Sequence, residues 1–124
     1  MKAFELYDAT TVDEAVQLLG KHGATSKELA GGSDLVTGVM KDWIHGPGMP
    51  YPTALIDITT IPAMHGISTE GGGLRIGAAT TLAEIEESAD VLSRYPVLAE
   101  AAKSVAPPLI RNFGTLGGNI NQRP

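Results

Sequence analysis

Apolar and polar residues alternate over Phe4-Glu5-Leu6-Tyr7, the period of a strand with one buried face. The spacing then changes. Val12, Ala15, Val16 and Leu19 fall at i, i+3, i+4 and i+7, so a helix with one apolar face is expected, opened by Thr11 with Glu14 as a capping box and closed by Gly20 or Gly23. A second strand is expected over Lys27–Ala30, running into Gly31-Gly32. Ser33 or Asp34 can cap a second helix from about Leu35 to Ile44, with Val36, Val39, Met40 and Trp43 as its buried stripe. Residues 45–52 hold two glycines and three prolines and read as an exposed excursion before a third strand over Ala54–Ile58. The order βαβαβ implies a small, parallel sheet with helices packed on it.

Beyond this point the pattern is antiparallel. Gly66–Thr69 and Leu74–Gly77 flank Glu70-Gly71-Gly72-Gly73, a hairpin signal with a loop of about four residues. A boundary is therefore placed near Thr59–Pro62, giving a first subdomain over residues 1–60 and the start of a second, α+β, over 61–124. Thr81 and Glu84 repeat the capping-box spacing and start a short helix through about Glu87; Pro96 suits the first turn of another, with Leu98, Ala101, Ala102 and Val105 on one face, stopped by Pro107-Pro108. Asn119-Ile120-Asn121 reads as a strand just begun. Nothing after it completes a sheet, which suggests truncation.

Composition narrows the function classes. A hydrophobic fraction of 43% and a charged fraction of 19% are those of an ordinary globular protein. No run of about 18 apolar residues could span a bilayer. The first residues lack the basic start and apolar core of a secretory signal, so the cytoplasm is the expected compartment. The absence of cysteine excludes disulfides, thiolate zinc and cysteine-ligated iron–sulfur clusters within these residues. A net charge of -5, with Lys and Arg scattered singly, argues against nucleic acid as a partner.

The chemistry concentrates in two glycine loops. In Ala30-Gly31-Gly32-Ser33-Asp34 a strand, a glycine pair and an expected helix start would aim free N–H groups at one spot, which favours a phosphate; a tight strand-to-helix turn with Asp34 as N-cap is the alternative. In Arg111-Asn112-Phe113-Gly114-Thr115-Leu116-Gly117-Gly118-Asn119 the glycines would expose bare N–H donors, and Thr115 and Asn119 could add side-chain bonds; the alternative is a bulged or bent start of a strand. Together the loops suggest a site closed from two sides. Neither matches a P-loop or the G-x-G-x-x-G fingerprint. Gly71-Gly72-Gly73 is read as a turn only. His22, His45 and His65 have no partners at metal spacing, so no metal site is expected. Glu84, Glu86 and Glu87 read as a solvated face. Ser33 lacks histidine and acid partners for a hydrolase, so no catalytic residue is named. Arg111 could meet a phosphate or pair within the protein.

Three stretches in order, Leu29-Ala30-Gly31-Gly32-Ser33-Asp34-Leu35, then Leu74-Arg75-Ile76-Gly77-Ala78-Ala79-Thr80-Thr81-Leu82, then Ile110–Ile120, resemble the FAD-binding (medium) subunit of the molybdenum hydroxylases. That family includes the xanthine dehydrogenases and the aerobic carbon monoxide dehydrogenases. The resemblance covers essentially the whole chain and implies an α+β, two-subdomain FAD-binding fold of the vanillyl-alcohol-oxidase (PCMH) type, incomplete at the C-terminus. It implies that Leu29, Ala30, Gly31, Gly32, Ser33, Asp34 and Leu35 wrap the FAD diphosphate through backbone amides. Ala78, Thr115, Gly117, Gly118 and Asn119 would hold the cofactor from the second subdomain. Diphosphate bound by backbone N–H groups needs no basic patch, which suits an acidic chain.

The resemblance also implies two partners, a molybdopterin-binding large subunit and an iron–sulfur small subunit. The flavin would pass electrons from the iron–sulfur clusters to an acceptor such as NAD. Family members continue well past the glycine–asparagine motif, and the excursion over 45–52 looks longer than usual. A truncated, noncatalytic flavin-domain remnant acting as a binding or interaction module is therefore the alternative function. Gly32→Val is expected to lose cofactor before it loses the fold.

Overall fold

The computed structural model describes residues 1–41 and 50–122, which form two compact units, Met1–Ala63 and Met64–Pro124. In the first, strands β1 (Glu5–Asp8), β2 (Ser26–Leu29) and β3 (Ala54–Asp57) make a parallel sheet in the order β1-β3-β2. Leu55 stands opposite both Leu6 and Lys27, so β3 is central. Its position explains its sequence: Ala54, Leu55 and Ile56 are all buried, as a strand paired on both edges and covered on its faces requires.

Helix α1 (Val12–His22) joins β1 to β2. The Thr11 hydroxyl accepts from Glu14 N–H at 3.1 Å, as expected of the cap, but the Glu14 carboxylate reaches one residue further back, taking the Thr10 N–H and hydroxyl at 2.8 Å each. The buried face agrees with expectation at Ala15 and Leu19 and departs from it at the two valines. Ala15 is buried and Leu18, Leu19 and His22 are half-buried, whereas Val12 and Val16 remain 49% and 61% exposed. The helix is turned so that Ala15, Leu18, Leu19 and His22, and not the two valines, lie on its less exposed side.

The helix expected from Leu35 is absent over its described part. Residues 33–38 are turns and Val39–Lys41 is a single 3-10 turn; Trp43 and Ile44 lie outside the described residues, as do His45 and most of the expected excursion. The Thr37 hydroxyl donates to the Ser33 carbonyl, and the N–H groups of Val39 and Met40 reach back five residues, to Asp34 O at 3.0 Å and Leu35 O at 2.9 Å. Local side-chain bonding and Gly38 thus widen the chain where an α-helix would hold a tighter ladder.

In the second unit β4 (Ile67–Glu70) and β5 (Gly73–Ile76) pair antiparallel around a two-residue turn, Gly71-Gly72, shorter than expected. Both glycines have positive φ, 58° and 80°, the requirement of the hairpin turn that matches strand twist. Helix α2 (Leu82–Glu87) carries the complete Thr81–Glu84 capping box. Helix α3 (Ala89–Arg94), capped by Ser88, is an addition to the expected elements, and α4 (Pro96–Ser104) begins with proline as expected. Pro107-Pro108 does not stop α4, which ends at Ser104; Pro108 opens a four-residue helix, α5 (Pro108–Arg111). The strand expected at 119–121 is helical: α6 runs Leu116–Asn121 behind an N-cap at Thr115. The core gathers Leu82, Ile85, Val91, Ala99 and Ala102, with Ile76, Leu98 and Leu116 packed against it.

Candidate functional site

The first loop leaves β2 at Leu29, whose carbonyl accepts Ile58 N–H at 3.0 Å and so ends the strand against the chain beyond β3. Gly32 has φ +70°, a conformation other residues seldom adopt, and this reverses the chain. Its carbonyl accepts Val36 N–H at 2.9 Å. Among the described residues, no acceptor is found for the backbone N–H groups of Gly31, Gly32, Ser33, Asp34 and Leu35. Ala30, Gly31, Gly32, Ser33 and Leu35 are half-buried and Asp34 is exposed. Successive backbone N–H groups left without an acceptor inside the protein are donors of the kind that anionic oxygens can satisfy. The donors come from a turn and not, as expected, from the start of a helix. A Cβ at Gly32 would meet Leu29 Cδ1 and Val36 Cγ2 at 3.2 Å, so the glycine's missing side chain faces the protein's own apolar atoms.

The second loop is built differently. Leu116 N–H donates to Thr80 O at 2.9 Å, Gly117 N–H to Ala78 O at 2.8 Å, Gly118 N–H to the Thr115 hydroxyl at 3.1 Å and Asn119 N–H to Thr115 O at 2.9 Å. The expectation of bare donors here is therefore overturned: each N–H from Leu116 to Asn119 is satisfied inside the unit. Thr115, 2% exposed, spends its oxygen capping α6. Gly117 is needed for close approach, since a Cβ there would stand 3.0 Å from both Ala78 Cβ and Ala78 O. Ala78, Thr115, Gly117, Gly118 and Asn119 are thus brought together. Of these, Asn119 has a half-buried side-chain amide with no hydrogen-bond partner among the described residues, beside an apolar cleft lined by Leu82, Leu98 and Val105.

Other candidates have structural roles. Arg111 is buried and bound within the unit. Its Nε stands 3.0 Å from Glu86 Oε2 without hydrogen-bond alignment, an ion pair in contact, and its Nη1 donates to Val105 O at 3.3 Å and Ala106 O at 2.6 Å. Of the three glutamates expected on a solvated face, Glu84 closes the capping box and Glu86 pairs with Arg111, while Glu87 is exposed. Bonding from the Thr81 backbone, aided by the Thr81 hydroxyl and a smaller electrostatic contribution from His65, holds the Glu84 carboxyl below its ordinary pKa despite partial desolvation. His22 lies against the Tyr7 ring at 4.9 Å. No cluster of three metal-ligating side chains occurs among the described residues. Nor does any helix among them reach the length and apolarity needed to cross a membrane.

Sequence reasoning passed over Gly77. A Cβ there would lie 2.2 Å from Met64 O, closer than at any other glycine compared. Its N–H donates to Gly66 O at 2.9 Å, and Ala79 N–H to Met64 O at 2.8 Å, so Gly77 lets the 64–66 and 77–80 segments touch backbone to backbone. No local sequence signal marks such a contact.

Residues 2–124 match the family described as the FAD binding domain in molybdopterin dehydrogenase. The chain belongs to this family. Among its relatives, the carbon monoxide dehydrogenase medium chain of Hydrogenophaga pseudoflava is 44% identical over 117 residues, covering 94% of this chain and 39% of the relative. The xanthine dehydrogenase FAD-binding subunit of Escherichia coli O157:H7 is 37% identical over 113 residues, covering 90% and 36%. A solved carbon monoxide dehydrogenase from Hydrogenophaga pseudoflava, lacking the Mo-pyranopterin moiety of its cofactor, superposes with a TM-score of 0.87 at 42% identity, over 96% of this chain and 39% of that one. The chain thus spans about two fifths of the length of the relatives it matches. Within this FAD-binding family, the mixed helix-and-strand architecture is shared with the solved carbon monoxide dehydrogenase.

Proposed function

We propose that this chain supplies FAD contacts in a molybdenum-dependent hydroxylase or dehydrogenase, in which the flavin passes electrons from iron–sulfur clusters to an acceptor such as NAD. The observation that supports the reading is the run of N–H groups from Gly31 to Leu35 without partners among the described residues. A diphosphate offers several anionic oxygens to such a run, and binding it this way fits a chain of net charge -5. In this reading Leu29, Ala30, Gly31, Gly32, Ser33, Asp34 and Leu35 surround the diphosphate. The second loop contributes chiefly the Asn119 amide, with Thr115, Gly117, Gly118 and Ala78 shaping the backbone that presents it.

The two units correspond to two FAD-binding subdomains of a vanillyl-alcohol-oxidase-type fold. When bound, the flavin supplies the electron-transfer chemistry; this chain's residues bind and orient it, and none is assigned a catalytic role. A molybdopterin-binding large subunit and an iron–sulfur small subunit are the partners, and the complex works in the cytoplasm.

The test is a titration of the complete gene product, stripped of flavin, with FAD, ADP and riboflavin. FAD binds, ADP competes with it because it brings the diphosphate, and riboflavin, which has none, binds far more weakly. Folded protein that takes up no FAD, or that binds riboflavin as tightly as FAD, overturns the assignment.

A further inference from the structure

Building on that reading, the structure shows what holds the second loop in place. Arg111 ends α5, and the chain then passes through a turn in which Phe113 and Gly114 N–H both donate to Ile110 O, at 3.1 Å and 2.7 Å. Gly114 O next accepts Leu82 N–H at 2.9 Å, and Thr115 bridges to Thr81. One segment therefore grips both ends of α2, through Thr81 and Leu82 at its start and through Glu86 near its end. The Arg111 guanidinium closes that second grip. It also supplies the donor for Ala106 O, on a residue held at φ 50°, where side chains other than glycine are strained.

We propose that Arg111 is a positioning residue for FAD: paired with Glu86, it fixes the segment carrying Thr115 and Asn119 without touching the cofactor. With the side chain only 8% exposed and its contacts spent inside the unit, it is not placed to reach a phosphate. Loss of the guanidinium leaves Glu86 without its counter-charge and the Val105 and Ala106 carbonyls without their donor, and frees α5 to shift. The displacement passes through Gly114 to Thr115 and so to the Asn119 amide.

The experiment measures FAD affinity and the visible circular dichroism of bound flavin in the complete gene product carrying Arg111→Met, Arg111→Lys, Glu86→Gln, or Arg111→Met with Glu86→Leu. Arg111→Met weakens FAD binding about tenfold or more and alters the flavin dichroism, at a temperature where far-ultraviolet dichroism shows an intact fold. Lysine restores part of the affinity, because it keeps the charge but not the fork. Glu86→Gln shifts both readouts in the same direction, and the double variant, with no unpaired charge, binds better than Arg111→Met alone.

A folded Arg111→Met protein with wild-type affinity and dichroism overturns the proposal, as does weakening by Arg111→Met with Glu86→Gln unchanged, which would place the arginine on the cofactor itself. If Arg111→Met does not fold, Arg111→Lys and Glu86→Gln decide, and wild-type behaviour in both overturns it. Failure of the unaltered protein to bind FAD refutes the preceding functional reading instead, and needs no variant to detect.

Discussion

Gly77→Ala should be among the most damaging single-methyl additions this chain can receive. The new Cβ would lie 2.2 Å from Met64 O, 2.5 Å from Met64 C and 2.7 Å from His65 N, all of them backbone atoms that cannot swing aside. Restoring ordinary van der Waals contact requires the two segments to part by more than about 1 Å. That movement stretches two hydrogen bonds, Gly77 N–H to Gly66 O and Ala79 N–H to Met64 O, and the Thr80 hydroxyl bond to Gly66 O at 3.2 Å. Overpacking at about 1–3 kcal/mol, with two backbone bonds at about 1 kcal/mol each, gives a destabilisation of roughly 3–5 kcal/mol. Set against a total of about 5–15 kcal/mol for a domain, this is a large fraction. Because Ala78 O and Thr80 O seat Gly117 and Leu116, FAD affinity should fall in the fraction that stays folded. Urea unfolding and FAD titration of the complete gene product measure both effects. Gly73→Ala is the control: its nearest neighbour is Glu70 O at 3.6 Å, an ordinary contact, and a change within about 0.5 kcal/mol is expected. A Gly77→Ala protein within about 1 kcal/mol of wild type would refute the reasoning.

Gly32→Val should lose fold and cofactor together, since the residue combines φ +70° with 3.2 Å approaches to Leu29 and Val36; parallel unfolding and FAD titrations check this, and loss of FAD at unchanged stability would restore the expectation of a purely cofactor role. Thr115→Val removes the α6 cap and should cost about 1 kcal/mol, read by urea unfolding, with weaker FAD binding following from a less ordered Asn119. Asn119→Ala should leave stability nearly unchanged and weaken FAD, because its amide has no partner among the described residues; unchanged affinity would remove the second loop from direct contact. The Glu84 carboxyl is lowered in the folded state, so its contribution is present above the ordinary carboxylate range and is lost as pH falls through the folded-state value. A pH series of urea midpoints should show this loss on acidification, and Glu84→Gln should flatten that part of the profile.

The elements legible from sequence were those whose signal is local. The Thr81–Glu84 box, the Pro96 helix start and the glycine turn at 71–72 each rest on bonds or torsions among a few neighbouring residues, and all are present. The errors arose where a distant partner decides. Val12 and Val16 fit a helical period with Ala15 and Leu19 as well as Leu18 does, and only packing against the sheet selects which flank of that stripe is buried. From Leu35 onward the apolar spacing was helical, but Thr37 bonding to Ser33 and the glycine at 38 favour turns. Gly117-Gly118-Asn119 has poor helix propensity and so resembled the start of a strand, yet the Thr115 cap, with Ala78 and Thr80 receiving the first N–H groups, makes it helical. Helix α3 had its cap in plain view at Ser88, with Asp90 in the first turn and Arg94 in the last, but its short length hid the period.

The two glycine motifs, alike in composition, differ in what they can offer a ligand. Between Gly31 and Leu35 the turn at glycine leaves donors with no acceptor among the described residues, which an anion can satisfy. Between Leu116 and Asn119 glycine does the reverse: by removing a Cβ it lets the backbone come within 2.8 Å of Ala78 O and uses up the donors. A glycine-rich loop is thus not evidence of free N–H groups until the carbonyls opposite it are known. It follows that the first loop should discriminate by charge and the second by the shape around one amide. Removing the diphosphate from the ligand should therefore abolish the first contribution and leave the second, whereas Asn119→Ala should weaken FAD by the same factor whatever salt is present.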